Sequence, residues 1–343
     1  MALTVVREAM KWNVLDHHVC HTSNVVDSHC CTTRVAADMG KSPVRDEVSI
    51  VSPLRYPGAK RRLSTYVAEV LRVNGLRPKV LIEPFAGGAS VALQLACTQA
   101  VEKIALGELD PLVASFWKVV FREPEWLVGA IKKQRVSLAA WDRFRNGRFR
   151  SDRKRALACI FLNRTSFSGI IAKSAGPIGG RNQQSEYGIG CRFTKETIIR
   201  RIRNAAKLRD RVLLVHHGHW LETVQRVKAQ GHKSTELFLY LDPPFYHEAS
   251  RLYNCFFDQG DHKDFHDELL QLDIPYLLSY DPAKEIRQMY SHNGQGPKRI
   301  DLLYTAASTS QQHAQELVIT NLPRLPKGTR IWRSKEEWNT RRR

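Results

Sequence analysis

Two rhythms of apolar positions run along this chain. Short continuous runs, among them Val80-Leu81-Ile82, Ile104-Ala105-Leu106, 212–216 and Leu237-Phe238-Leu239-Tyr240-Leu241, read as strands buried on both faces. A sheet covered by helices on both sides has no polar face, so its strands need not alternate. Between these runs lie stretches with helical spacing, ending near Asn74 and covering 221–229, 262–272 and 283–290. Further strands are predicted at 274–279, 299–304 and 316–320, the last two forming an antiparallel hairpin at one edge. Strands alternating with helices predict an α/β fold around a mostly parallel sheet.

Three segments break this rhythm. Residues 1–50 have no strong apolar period and predict a poorly ordered extension. Their His17, His18, Cys20, His21, His29, Cys30 and Cys31 lack the paired spacing of a zinc site, so no metal site is expected. Met39 lies just before the folded part and is a candidate translation start. Residues 116–205 mix helical stretches with basic clusters and a loop at 174–192 rich in Gly, Ser, Asn and Gln, a long hairpin-like excursion. A basic tail, 327–343, closes the chain. The organisation expected is therefore an extension (1–50), a core in two pieces (51–115 and 206–326), an inserted mainly helical and hairpin region (116–205) and a tail.

Charge narrows the function. The 343 residues carry 53 Lys and Arg against 34 Asp and Glu, a formal net charge of +19. Such an excess suits a polyanionic partner, with nucleic acid first. Arg181, Asn182, Gln183, Gln184 and Arg192 in the excursion have side chains that read base edges and phosphates. No apolar run reaches membrane-spanning length and no signal peptide opens the chain. Seven scattered cysteines make no disulfide framework, which points to a reduced, cytoplasmic protein.

Candidate chemistry sits at strand ends. The run 237–241 stops at Asp242-Pro243-Pro244-Phe245-Tyr246, where two prolines turn the backbone out of the sheet. In an open α/β sheet, ligands bind beyond the carboxyl ends of strands, which makes Asp242 a site residue. Glu83-Pro84-Phe85-Ala86-Gly87-Gly88 has strand, glycine turn and helix, but is neither a P-loop nor a dinucleotide fingerprint. A glycine pair beside an acid suits a cofactor with amine and hydroxyl groups and no phosphates, such as S-adenosylmethionine. Glu108, then Asp110, lie about twenty residues on, the spacing at which a second-strand carboxylate reaches ribose hydroxyls. In Arg55-Tyr56-Pro57-Gly58-Ala59-Lys60, Gly58 allows close approach, and Lys60 opens a helix where a cation makes sense if it faces a ligand anion.

These motifs, in this order, resemble the Dam-like family of DNA adenine methyltransferases. The resemblance rests on 55–60, 83–88, Glu108, Leu162-Asn163-Arg164 and Asp242-Pro243-Pro244-Phe245, and spans roughly residues 54–323. It implies a Rossmann-like methyltransferase sheet with an antiparallel edge strand, S-adenosylmethionine as donor and a target-recognition insertion. It implies that Tyr56, Gly58 and Lys60 line the methionine end of the cofactor, that 83–88 wrap its middle, and that Glu108 holds the ribose. Asn163 and Arg164 would join the DNA-binding set. In this reading Asp242 and the Pro243 carbonyl accept hydrogen bonds from the target amine, and Pro244 and Phe245 complete the wall on which the flipped base stacks. The substrate is double-stranded DNA. A monomer suits one transfer per encounter, and cleavage would need a separately encoded restriction nuclease. Phe245 replaces the usual Tyr. His219 stands where many relatives have an acid, leaving the cofactor adenine contact unassigned. Two alternatives stay open: transfer to cytosine N4 or RNA, and a DNA-binding relative that has lost catalysis.

Overall fold

A computed structural model describes residues 49–55, 61–247, 249–291, 296–303 and 313–327. The expected N-terminal extension before residue 49, with its His/Cys cluster and Met39, and the tail after 327 lie outside the described residues. Ile50 is already part of the core.

The sheet has strands β1 (Val80–Glu83), β2 (Lys103–Glu108), β3 (Val212–His217), β4 (Leu237–Leu241), β5 (Tyr276–Tyr280), β6 (Lys298–Leu303) and β7 (His313–Thr320). Their order is β3-β2-β1-β4-β5-β7-β6. The first five neighbours pair in parallel, and β7 runs antiparallel between β5 and β6. The expected hairpin is therefore present, with its second strand inserted inside its first. Side chains alternate strictly: Val80, Ile82, Leu237, Leu239 and Leu241 enter one core, while Leu81, Phe238 and Tyr240 enter the other.

Helices cover both faces. One face holds α1 (Arg61–Val73), α2 (Ser90–Cys97) and α3 (Pro111–Arg122). In α1, Leu63, Tyr66, Val67, Val70 and Leu71 recur at helical spacing and are buried. The other face holds α8 (Trp220–Lys228), α10 (Gln259–Leu270) and α11 (Lys284–Met289). A short turn of helix, α9 (Ala249–Leu252), follows β4. Helix α10 starts earlier than its apolar period suggests because Asp258 and Asp261 form a capping box.

The inserted region contributes α4 (Pro124–Lys133), α5 (Leu138–Asn146), α6 (Asp152–Thr165) and α7 (Lys195–Ala206). Its apolar residues Trp141, Phe144, Phe161, Phe193 and Ile202 share one core with Leu81, Phe116 and Phe238. The boundary expected after residue 115 falls inside α3, whose Phe116 and Trp117 are fully buried. The excursion at 174–192 forms turns, tied by a single bridge between Ser166 and Pro177 and lacking a regular hairpin.

Gly107 shows how tightly the site end of the sheet is packed. A Cβ there would run into the Thr223 hydroxyl and lie 3.0 Å from Pro84 Cα. Gly107→Ala is expected to destabilise the fold by about 1–3 kcal/mol in chemical denaturation. Adding Thr223→Ala should recover part of that loss, and a neutral single substitution would contradict this packing.

Candidate active site

Strand order reverses between β1 and β4, the place where an open α/β sheet leaves a crevice at its carboxyl edge. The turns that follow these two strands carry the residues singled out in the sequence. At the end of β1, the fully buried Glu83 carboxylate accepts the Ala92 N–H at 2.8 Å. Burial pushes Glu83 well above the usual carboxylate range, and the nearby charges of Asp242 and Glu108 push it the same way.

The turn itself needs left-handed backbone at Gly87 (φ 43°), and Ala89 adopts φ 47° at the start of α2. Gly88 is buried beside them. Gly87 donates its N–H to Glu108 Oε2 at 2.8 Å, and its carbonyl accepts the Trp117 indole N–H at 2.8 Å. Ala86 N–H reaches the Gly107 carbonyl at 2.9 Å. Phe85 turns its ring into the second core, 5.6 Å from Phe265 and 5.7 Å from Phe257. Its ring and that of Trp220, at the start of α8, stack at 6.4 Å.

Glu108 also accepts the Asp110 N–H, at 3.0 Å on Oε1. Burial pushes Glu108 up to about 7, against the pull of these backbone donors. Asp110 caps α3 through Leu112 N–H at 2.8 Å, and its other oxygen accepts the Asn254 amide at 2.8 Å. A cleft opens here, lined by Glu108, Asp110, residues 169–172 and residues 252–255. Cys255 in that wall is pushed up to about 11, chiefly by burial, which favours the protonated thiol.

Asp242 leaves β4 half-buried, followed by buried Pro243. Ser279 of β5 donates to Asp242 Oδ1 at 2.9 Å. The next turn is fastened by Asp281, which accepts the Tyr246 N–H at 3.0 Å. Tyr246 stacks beside His262 (4.8 Å), whose Nδ1 lies 2.6 Å from the Tyr280 hydroxyl. Burial holds His262 down to about 4, so it is a neutral spacer. Phe245 meets Tyr253 edge-on at 6.2 Å. The fold thus gathers Glu83, Gly87, Gly88, Glu108, Asp110 and Asp242 at one edge of the sheet. Ser279, Tyr253, Asn254 and Trp117 join them through tertiary contacts that no local motif announces. His219 marks the start of α8, next to Gly218, whose N–H bonds the Glu108 carbonyl at 3.1 Å. Tyr56, Gly58 and Lys60 lie outside the described residues.

Asn163 and Arg164 need correction. Both are expected from the sequence to face DNA, and both are buried in α6. Asn163 accepts the Arg55 N–H at 2.7 Å and donates to the carbonyls of Arg55 (2.7 Å) and Gly169 (2.8 Å). Arg164 donates to the Pro53 carbonyl. Burial brings Arg164 down to about 9, helped by the positive charges of Arg201, Arg55 and Arg192. The reason is that α6 is apolar on nearly every side beyond Ala156, so its polar residues must find backbone partners. They hold the irregular segment that leads into 56–60. By contrast Arg181 and Asn182 are exposed and Arg192 is half-buried. Arg181 pairs with Asp142 at 2.6 Å and lies 5.3 Å over the Trp141 ring.

A family model described as D12 class N6 adenine-specific DNA methyltransferase matches residues 56–305 of this chain, about three quarters of it. The span takes in β1 to β6 and the whole inserted region. No curated protein matches the chain.

Asn163→Ala would leave the Arg55 N–H and the Gly169 carbonyl without their partner. It should destabilise the protein by on the order of 1–3 kcal/mol per stranded buried group in urea titration. The salt dependence of DNA affinity should stay unchanged, because no phosphate contact is lost. A weaker salt dependence in a fully stable variant would return Asn163 to the DNA surface.

Proposed function

The chain belongs to the D12 class of N6 adenine-specific DNA methyltransferases, and on that premise we propose how its residues carry the reaction. The observation that carries the reading is the placement of the Asp242 motif and the Glu83–Gly88 turn on adjacent strands, β4 and β1, at the switch point of the sheet.

S-adenosylmethionine is the donor this site fits. Glu83, Glu108 and Asp242 are close enough for their charges to raise Glu83, and a bound cation relieves that repulsion. Among the described residues the cleft lining contains two acids, Glu108 and Asp110, and no Lys or Arg, which favours hydroxyl and ammonium groups. When bound, this cofactor supplies a methyl group on a positively charged sulfur that departs with the C–S electron pair. Glu108 accepts the ribose hydroxyls, with Asp110 beside it. The backbone of Pro84, Gly87 and Gly88 lets the middle of the molecule approach. Tyr56, Gly58 and Lys60 take its methionine end, as the family resemblance implies.

Asp242 and the Pro243 carbonyl do the rest. Adenine's N6 lone pair is delocalised into the ring and attacks poorly. Two acceptors that bind its hydrogens favour a pyramidal nitrogen whose lone pair points at the methyl. The Asp242 carboxylate would also be the acceptor for the proton that N6 gives up. The base must leave the duplex to reach them, and Phe245 beside Pro244 gives it a face to stack on. The inserted region faces the duplex, with Arg181, Asn182 and Arg192 reading it and the basic excess holding its phosphates. The enzyme works as a monomer in this reading, and a partner nuclease, if there is one, is a separate chain.

Expression in a host lacking adenine methylation, followed by single-molecule sequencing, should find methyladenine at one recurrent motif. Unmarked DNA from soluble, cofactor-binding protein would overturn the reading. Asp242→Ala should slow single-turnover methylation by about 10²–10⁴-fold while cofactor affinity stays within a few fold.

Glu108 gives a second test. At about 7 it holds its proton below neutrality in the free protein, whereas ribose hydroxyls donate to the ionised form. Cofactor affinity should therefore fall as pH drops below 7, approaching about tenfold per pH unit, with proton release on binding. Glu108→Gln should flatten that slope. Calorimetry in two buffers of different ionisation enthalpy measures it, and pH-independent affinity in the parent protein would contradict the assignment.

A further inference from the structure

We infer that Ser279, with Tyr240 behind it, is a positioning residue for methyl transfer, a hydroxyl relay that sets the orientation of the Asp242 carboxylate. The inference rests on the reading of Asp242 given above and extends it to two residues outside the motif.

Strands β4 and β5 pair in parallel with Leu241 opposite Leu278, so the next step of the ladder brings Asp242 beside Ser279. Ser279 is fully buried. Its Oγ lies 2.9 Å from Asp242 Oδ1, 3.1 Å from the Tyr240 hydroxyl and 3.4 Å from the Leu241 carbonyl. A serine hydroxyl has one proton to give. The shortest of these contacts is to an ionisable carboxylate, the strongest acceptor present, so the proton goes to Asp242. The serine lone pairs then face Tyr240, whose hydroxyl donates to them. Each O–H polarises the next, which strengthens the final bond to the carboxylate.

The surroundings argue that this pair does more than satisfy itself. Tyr240 is fully buried on the core face shared by Phe238 and Leu277, where a Phe would fill the same space. An Ala at 279 would likewise suit a strand face lined by leucine. Removing both hydroxyls leaves packing nearly intact and no orphaned donor behind. What it removes is the hydrogen bond from Ser279 that sets the angle of the Asp242 carboxylate. A flat acceptor that must present one oxygen to an amine loses near-attack geometry when that angle shifts. Tyr280, the neighbouring tyrosine, is committed to His262 and does not substitute.

The experiment uses the full chain, S-adenosylmethionine and a duplex containing its methylation motif, or total unmethylated DNA. Ser279→Ala should lower the single-turnover rate by about 10–100-fold, the scale of a misplaced reacting group, while the Kd values for cofactor and DNA stay within threefold of the parent. Ser279→Thr keeps the donor and should restore the rate to within a few fold. Tyr240→Phe should cost about three- to tenfold and nothing further in the Ser279→Ala background. A parent-like rate in Ser279→Ala, or losses that multiply in the double variant, would overturn the relay. If Ser279→Ala fails to fold, Tyr240→Phe decides, and a parent-like rate there overturns it equally. Asp242→Ala separates the two readings: activity in that variant refutes the role of Asp242 itself, whereas an inactive Asp242→Ala beside an unaffected Ser279→Ala refutes only the relay.

Discussion

The structure at the carboxyl edge of the sheet depends on one carboxylate accepting from two turns at once. Glu108 takes the Gly87 N–H on one oxygen and the Asp110 N–H on the other. The turn after β1, the end of β2 and the start of α3 thereby become a single rigid unit. Trp117 of α3 closes the loop by donating back to the Gly87 carbonyl, and Asp110 passes the connection on to Asn254, just beyond the segment that follows β4. A buried carboxylate is costly in its charged form, and its value of about 7 records that cost. The backbone donors keep it from rising further. A site built this way is held rigid by the same groups that stand ready to meet a ligand.

A second dependence runs through α6. The basic inserted region has no core of its own; its aromatic residues pack into the layer that covers the sheet. Asn163 ties Arg55 to Gly169, and Gly169 lines the same cleft as Glu108 and Asp110. The inserted region is therefore joined to the cleft by close-packed side chains and buried hydrogen bonds. Arg181 of that region lies over the Trp141 ring. Arg145 lies 4.7 Å from the centre of the same ring and donates to the carbonyls of Ile171, Ala172 and Ala175, so the loop 171–175 is fixed too.

The parallel strands and the acids at their ends were legible because burial on both faces leaves a continuous apolar run, and a run that stops at an acid or a proline marks the edge of the sheet. The hairpin of β6 and β7 was legible as a pair, but its order in the sheet depends on which strand β5 accepts, a long-range choice with no local signal. Asn163 and Arg164 misled for a physical reason. The helix α6 starts with Asp152, Arg153, Lys154 and Arg155, which look like a solvated face, and then becomes apolar all round. Without an amphipathic period, nothing in the sequence distinguishes a polar residue bonded to buried backbone from one facing water. Ser279 and Asn254 were illegible for a related reason. Each acts through a partner tens of residues away or more, brought close by register or by the fold of a loop.

The charge pattern settles how such a basic chain can carry an acidic site. Net charge acts at long range and draws DNA towards the protein, whereas Glu83, Glu108, Asp110 and Asp242 act over a few ångströms at one edge of the sheet. A chain with a net positive charge can therefore carry a cluster of acids at the carboxyl edge of its sheet, because the two act over different distances.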